Sequence, residues 1–291
     1  MKKIVSLLVV LTFVFSLAAC GKKAGGTAVA GGEAGSKVDA AESSDPIVVK
    51  LGISIDEPEI WEAVQKNLEK DNIKLEVIYF SEYVWNTALA NGEIDIAAAQ
   101  HHAWFENNIK EVGLEDKVVW VADMCTSPLN IFSKTVDSLD DIPEGGTIAI
   151  PADAVNLGRA LQILEKAGVI TLGDYEGIPE IADIAENPKN INIQEIDGQS
   201  LPRSLQDVDA AVIQIGFAVA GGLDLDSDNI FKDTIDMSDP VQYQFVRMID
   251  VRAEDVDNEV LKKVVAAYQS PEVAKVIEEV YKGTVEPAFT Y

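Results

Sequence analysis

The chain has 291 residues, 47% of them hydrophobic, so it can bury a large core and is long enough for two domains. Its 49 acidic and 23 basic residues give a formal net charge of −26 at pH 7. This excess argues against nucleic-acid binding through a broad basic surface, and it favours solubility and repulsion from anionic lipid.

The N-terminus carries a targeting signal. Lys2 and Lys3 precede an uncharged run over residues 4–19, which is shorter than the roughly 20 residues that a membrane-spanning helix needs. Leu-Ala-Ala-Cys-Gly at residues 17–21 resembles the bacterial lipobox, where signal peptidase cuts before a cysteine that becomes lipidated. We predict a signal peptide over 1–19 and a lipid on Cys20 that anchors the chain without spanning the membrane. An ordinary secretory signal with a chance cysteine is the alternative.

Residues 20–45 are predicted to be the lipidated cysteine and a flexible tether, because this stretch is rich in Gly, Ala and Ser. Without Lys2 and Lys3, 21 basic against 49 acidic residues leave the mature chain at −28. With Cys20 acylated, Cys125 has no intramolecular partner. We therefore expect no disulfide and a small buried side chain at Cys125.

The folded part begins with alternating strand and helix patterns. Asp-Glu-Pro-Glu at 56–59 predicts a capping box opening a helix whose buried face carries Trp61, Val64 and Leu68. Around it we predict strands at 47–53, 75–80 and 94–98, a short helix at 84–90 and a helix through Trp104 and Ile109. This alternation indicates an α/β fold with a parallel sheet.

A second domain follows the strands at 118–121 and 129–132, which flank Ser127-Pro128. Further strands are predicted at 147–150, 191–196 and 210–213, and a long strand at 242–249 returns to the first domain. Short helices are predicted at 181–185 and 201–205, and two helices close the chain. We predict one lobe from 46–128 with 240–291, and a second lobe from 129–239.

The start of the helix after residue 150 is a candidate anion site. Asp153 stands at the N-cap position, and Asn156 and Arg159, three residues apart, share one helical face. Free backbone N–H groups and the helix dipole favour a carboxylate or phosphate here. A surface arginine on an ordinary helix explains this stretch equally well.

Catalytic patterns are missing from the sequence. The chain has two histidines, the adjacent His101 and His102, so it offers no spaced His/Cys set for a metal. It also lacks a Gly-x-Ser-x-Gly elbow, a Gly-rich phosphate loop and a His-Glu-x-x-His motif. We therefore predict a protein that is not an enzyme and has no metal or cofactor; a secreted hydrolase has no nameable nucleophile–base pair. Adjacent side chains diverge, and we expect His102 to face solvent.

Binding is better supported. Tyr83, His101, the Asn156/Arg159 pair and Gln214 each follow a predicted strand, and ligands of open α/β sheets collect at that edge. Singly, each has a plain structural explanation, such as packing or a sheet-edge amide. Together they predict a site for a zwitterion, in which Arg159 holds a carboxylate and neutral polar groups take an ammonium.

Several collinear stretches resemble one family. They are Phe-Ser-Glu-Tyr-Val at 80–84, Asn-Thr-Ala-Leu at 86–89, Gly-Glu-Ile-Asp at 92–95, Gln-His at 100–101, residues 151–159, Glu-Asn-Pro-Lys-Asn at 186–190, Leu-Pro-Arg-Ser-Leu at 201–205 and Ala-Tyr-Gln-Ser at 267–270. With the lipobox, they make the chain similar to the NlpA-type lipoproteins, the methionine-binding components of ABC importers.

The resemblance implies a two-lobed, type II periplasmic-binding-protein-like fold with two hinge crossings. It implies an amino acid clamped between the lobes, an ABC permease with its ATPase as partners, and a lipid-anchored location on the extracytoplasmic face of the cell membrane. The family's counterpart of Arg159 takes the substrate carboxylate, that of Asn156 supports it, and those of His101 and Tyr83 line the cleft.

Three departures concern the substrate. Methionine binders usually carry asparagine where this chain has Gln214, aromatic residues where it reads Met-Cys-Thr-Ser-Pro at 124–128, and one residue more around Trp85. Trp85 or Trp104 could refill the aromatic wall, or the pocket could suit another amino acid or a short peptide. We predict a substrate-binding lipoprotein for methionine or a related ligand. The alternative is an adhesin-like surface lipoprotein that binds a macromolecule and has a shallow cleft.

Overall fold

A computed structural model describes residues 45–81 and 83–291; the predicted signal peptide, Cys20 and all but the last residue of the predicted tether lie outside these ranges. The strands are β1 (Ile47–Ile53), β2 (Ile73–Tyr79), β3 (Ile96–His101), β4 (Val118–Thr126), β5 (Leu129–Phe132), β6 (Thr147–Pro151), β7 (Thr171–Leu172), β8 (Ile184–Glu186), β9 (Asn192–Ile196), β10 (Ala210–Gln214), β11 (Asn229–Phe231) and β12 (Val246–Arg252). The helices are α1 (Pro58–Leu68), α2 (Trp85–Ala90), α3 (His102–Val112), α4 (Ala154–Lys166), α5 (Leu201–Ser204), α6 (Ile215–Ala220), α7 (Pro240–Tyr243), α8 (Glu259–Tyr268) and α9 (Pro271–Val280).

One five-stranded sheet has the order β2-β1-β3-β12-β4. β1 runs parallel to β2 and β3, whereas β12 is antiparallel to both of its neighbours. Helix α1 packs against α8 and α9, and it buries Trp61, Val64 and Leu68 as its apolar spacing predicts. We call the part built on this sheet the first lobe.

The other five-stranded sheet, the basis of the second lobe, has the order β11-β5-β10-β6-β9. β6 is parallel to β9 and β10, and β5 is antiparallel to β10 and β11. The chain passes from the first sheet to the second between β4 and β5, and it returns between β11 and β12. The predicted α/β fold with two lobes and two crossings is therefore confirmed.

The predicted capping box at the start of α1 is wrong. Glu57 occupies the N-cap position, but its side chain caps no helix N–H. Its buried carboxylate instead accepts hydrogen bonds from Arg247 Nη1 at 2.7 Å and Nη2 at 2.9 Å, and from the Tyr281 hydroxyl. A carboxylate that is 3% exposed requires a cation, since losing one partner of such a buried pair costs roughly 3–5 kcal/mol.

Three other elements differ from the predictions. The strand predicted at 94–98 begins at Ile96 and continues through Gln100 and His101, all of it buried. The strand predicted at 242–249 is preceded by α7, because Asp239 caps a helical turn that Pro240 begins. The helix predicted at 181–185 is a 3₁₀ turn over Ile181–Asp183, after which the chain enters β8 and pairs with β7.

Residues 45–81 and 83–291 contain no membrane-spanning helix and no metal-binding cluster. None of the helices there is long and apolar enough to cross a membrane. No group of three or more His, Cys, Asp or Glu side chains there is placed to hold a metal ion.

Candidate functional site

A narrow cavity lies between the two lobes, at the ends of β3, β6 and β10. Its volume is about 30 Å³, room for roughly two water molecules. The first lobe contributes Ser54, Tyr83, Trp85, Ala99, Gln100, His101 and Trp104, and the second contributes Leu129, Pro151, Asp153, Asn156, Gly198, Leu201, Gln214 and Phe217. The carboxyl ends of parallel strands from both sheets thus meet at one site.

His101 is held as a neutral imidazole with a defined proton position. Its Nδ1 accepts a hydrogen bond from the backbone N–H of Trp104 at 3.2 Å, which assigns the ring proton to Nε2 as the donor to Asn156 Oδ1 at 3.1 Å; Arg159 Nη1 lies 3.3 Å from the same Nε2. Burial, and then the charge of Arg159, lower the pKa of His101 to about 3. His101 therefore joins the first lobe to the second as an uncharged donor.

Arg159 lies directly behind this contact rather than on the cavity wall. Its guanidinium donates to Asn156 Oδ1 at 3.2 Å and to the Ser127 carbonyl at 2.8 Å, and it lies 3.8 Å from the centre of the Phe245 ring. The side chain is 5% exposed, and burial lowers its pKa to about 9. The predicted Asp153 cap is confirmed, because its carboxylate accepts from the Asn156 backbone N–H at 3.0 Å.

Gln214 is fixed by the first crossing. Its side-chain Nε2 donates to the Ser127 hydroxyl, and the Ser127 carbonyl is the one that accepts from Arg159. His101, Asn156, Arg159, Ser127 and Gln214 thus form one continuous chain of hydrogen bonds, which we call the polar network.

Tyr83, Trp85 and Trp104 form an aromatic cluster on the first-lobe side of the cavity. Their ring centres lie 4.9–5.5 Å apart. Burial and the carboxylates of Asp153 and Asp197 raise the pKa of Tyr83, so its phenol stays neutral. Both tryptophans line the cavity, where the sequence made them candidates for an aromatic wall.

Gln100 holds the aromatic cluster from behind. It accepts from Trp85 Nε1 at 2.9 Å and from Asn86 at 3.1 Å, and its own amide donates to Asn86 at 2.7 Å and to Asp250 at 2.6 Å. Asp250 is fully buried, and burial raises its pKa well above the usual value. Burial therefore favours the neutral form of the carboxyl group that ends this chain.

The two lobes also touch beside the cavity. Tyr79 donates to Gln199 Oε1 at 2.8 Å, and Gln199 donates back to the Phe80 carbonyl at 3.1 Å. On the same side Ile55 lies so close to Gly216 that a Cβ there would approach its Cδ1 to 2.6 Å. Gly216 therefore allows the lobes to meet.

His102 does not face solvent, so that expectation is wrong. It is 8% exposed, its Nε2 lies 2.7 Å from Asp123 Oδ1, and its ring stacks on Tyr243. The two histidines do diverge as predicted, His101 to the cavity and His102 to β4. Cys125 is free and buried as predicted, and burial raises its thiol pKa to about 11.

The structure brings the five predicted site residues together. Tyr83, His101, Asn156 and Gln214 line the cavity, while Arg159 contacts its lining from behind. The sequence did not indicate roles for Ser127, Gln100 or Asp250. Ser127 lies beside a predicted crossing, and that position could have indicated a role at the site. Asp250 bonds to Gln100, which is 150 positions away, so no local sequence pattern indicates this contact.

Comparisons with known proteins agree with this geometry. The model of the NlpA lipoprotein family matches residues 49–289. The D-methionine-binding lipoprotein MetQ of Escherichia coli K12 is 37% identical over 248 residues, which cover 83% of this chain and 89% of that protein. The substrate-binding protein of a methionine transporter from Streptococcus pneumoniae has a TM-score of 0.76 at 34% identity, covering 83% of this chain and 96% of that one. A nutrient binding protein from Burkholderia cenocepacia, bound to methionine, has a TM-score of 0.74 at 38% identity, with coverages of 83% and 100%.

Proposed function

Because the chain belongs to the NlpA lipoprotein family, we propose that it is the substrate-binding lipoprotein of an ABC importer and binds methionine or a related amino acid or short peptide. It acts by binding rather than catalysis. We place the lobe boundaries at 46–128 with 240–291 and at 129–239.

The observation that carries this proposal is the meeting of the polar network and the aromatic cluster at one cavity. In the proposed complex, Arg159 and Asn156 attract the ligand carboxylate, while the amide oxygen of Gln214 accepts from the ammonium. Trp85 and Trp104 surround the side chain, and a thioether packs favourably against aromatic rings. The aromatic cluster therefore replaces the aromatic residues missing at 124–128.

The size of the cavity supports a clamping mechanism. A volume of about 30 Å³ is far below the roughly 300 Å³ at which ligand pockets begin, so the lobes must part for an amino acid to enter. The two crossings are the hinges, and the Tyr79–Gln199 contact re-forms when the lobes close. The closed form then docks on the permease, whose ATPase drives import.

We also propose that a lipid on Cys20 holds the protein on the extracytoplasmic face of the cell membrane, with residues 21–45 as the tether. A single acyl chain binds a membrane only weakly, so stable anchoring requires more than one chain. Mass spectrometry of the protein from membranes tests this part, because the expected Cys20 adduct disappears in the Cys20→Ala variant.

Isothermal titration calorimetry tests the binding function. The protein lacking residues 1–20 is titrated with L-methionine, D-methionine, leucine, alanine and methionine-containing dipeptides. We expect heat from methionine of either hand or from a dipeptide, and native mass spectrometry of the purified protein to show a bound small molecule. Absence of heat from every compound overturns the proposal. Binding to a macromolecule that survives Arg159→Ala would then favour the surface-lipoprotein alternative.

A further inference from the structure

Ser127 contacts both charge-binding parts of the polar network, Arg159 and Gln214. Its carbonyl oxygen accepts from Arg159 Nη2 at 2.8 Å, and its hydroxyl accepts from the side-chain amide of Gln214. The residue is 1% exposed and lies in the first crossing, between β4 and β5. A single buried residue therefore connects the guanidinium with the amide.

The backbone around Ser127 is held in place. Pro128 follows it and restricts its backbone to extended conformations. The Pro128 carbonyl accepts from the Ile215 N–H at 3.1 Å, and Leu129 pairs with Gln214 in the sheet. The crossing thus lies against the end of β10, which fixes the backbone of Ser127 and with it the carbonyl that accepts from Arg159.

We propose that Ser127 is a specificity-determining positioning residue, which orients the Gln214 amide so that its oxygen faces the ligand ammonium. The inference rests on the proposed function, because it assigns one step of zwitterion recognition. When Nε2 is bonded to the Ser127 hydroxyl, Oε1 is the atom of the amide left to point into the cavity. Without the hydroxyl, the amide can rotate and present its N–H₂ group, which repels an ammonium.

This arrangement accounts for glutamine at position 214. The crossing supplies a hydroxyl rather than an aromatic ring, and the longer side chain reaches back to that hydroxyl while it still lines the cavity. The carbonyl of Ser127 accepts from Arg159. The side chains proposed to bind the two charged ends of the ligand are therefore both bonded to one residue of the first crossing.

A double-mutant cycle tests the inference. Calorimetry with L-methionine is run on the wild type, Ser127→Ala, Gln214→Ala and the double variant. We expect Ser127→Ala to weaken binding about tenfold, equivalent to about 1.4 kcal/mol. In the Gln214→Ala background the same change should have an effect of less than about twofold, since there is no amide left to orient.

Ser133→Ala is the matched control. Ser133 is 3% exposed, and its hydroxyl bonds to the Asp209 carbonyl at 2.6 Å, outside the cavity. Its substitution should leave the methionine affinity within about twofold in both backgrounds. Ser127→Cys, which retains volume but accepts only weakly, is measured in parallel and should give the same non-additivity if the alanine variant does not fold.

The outcomes separate the two proposals. If the wild type gives no heat with any amino acid or dipeptide, the binding function itself fails. If the wild type binds L-methionine, the inference is overturned when Ser127→Ala binds as tightly as wild type. It is equally overturned when Ser127→Ala weakens binding by the same factor with and without Gln214, as general loosening of the hinge would.

Discussion

The polar network and the aromatic cluster are assembled in different ways. All three rings of the aromatic cluster come from the first lobe. Trp85 and Trp104 belong to one buried hydrophobic group built mainly from that lobe, and Tyr83 packs against it. The polar network takes His101 from the first lobe, Asn156, Arg159 and Gln214 from the second, and Ser127 from the crossing between them. The two indole rings are therefore held mainly by first-lobe contacts, whereas the polar network joins the two lobes.

This difference separates two tasks of a binding protein. A wall held mainly by one lobe lets that lobe select a side chain with little reorganisation. A network shared between lobes lets the charged ends of the ligand favour the closed state, because they interact with both lobes only there. Side-chain choice and closure should accordingly respond to different substitutions.

The largest expected effect comes from the polar network. Arg159→Met should weaken L-methionine binding about 100-fold or more, because it removes the buried cation behind Asn156 that attracts the ligand carboxylate in the proposed complex. The variant should also melt somewhat below the wild type, because the buried Ser127 carbonyl loses the donor that bonds to it at 2.8 Å. Calorimetry and thermal unfolding measure the two quantities.

Arg203→Met is the control for this prediction, because Arg203 is exposed and lies outside the cavity lining. It should leave the affinity within about twofold. An Arg159→Met protein that binds within about threefold of wild type would remove Arg159 from ligand recognition.

Substitution in the aromatic cluster should reduce selectivity for the ligand side chain rather than binding of its charged ends. Trp104→Leu should weaken binding of methionine about tenfold while changing alanine binding much less, because alanine has no thioether to pack against the ring. The measurement is the ratio of the two dissociation constants. Trp120→Leu, at an exposed tryptophan beside His102, is the control. An equal loss for both ligands would show that Trp104 supports closure rather than selection.

Asp250, which bonds to Gln100 behind the aromatic cluster, predicts that the free energy of unfolding depends on pH. Burial raises the pKa of Asp250, so its contribution to folding is complete below the unfolded-state pKa and is lost as pH rises through the folded-state value. Asparagine does not titrate. The unfolding free energy of the wild type, minus that of Asp250→Asn, should therefore decrease as the pH rises from about 4, the unfolded-state pKa, towards the higher folded-state value.

Thermal or denaturant unfolding across that range measures this difference. The exposed Asp174→Asn controls for the loss of one acidic group and should follow the wild type. Asparagine retains an oxygen that accepts from Gln100, so Trp85 stays in place and the methionine affinity should remain within about twofold. Parallel pH curves for wild type and Asp250→Asn would contradict an uncharged carboxyl at this position.

The same contrast explains what the sequence could reveal. The α1 and α4 apolar faces, the Asp153 cap and the strands on either side of Ser127-Pro128 are local patterns, and the structure contains them. Buried polar pairs depend on tertiary neighbours instead: Glu57 meets Arg247 across 190 positions, and the local spacing suggested a helix cap. Likewise, the pattern at 242–249 predicted a strand, and α7 was therefore not predicted. The Asp239-Pro240 pair is nevertheless typical of a helix N-terminus.

The smallest expected effect lies beside the cavity. There the hydrogen bond between Tyr79 and Gln199 joins the two lobes, and neither residue lines the cavity. Tyr79→Phe removes the bond to Gln199 across the lobes, and since Tyr79 is 50% exposed the loss should raise the dissociation constant only about two- to threefold. The change should appear in the dissociation rate, because the bond forms after ligand has entered. Stopped-flow fluorescence measures that rate.

Tyr175→Phe is the control. It removes a hydrogen bond of 3.1 Å to Gln162 within the second lobe and should leave the dissociation rate unchanged. A slower association rate with unchanged dissociation would instead mean that Tyr79 assists entry into the open cleft.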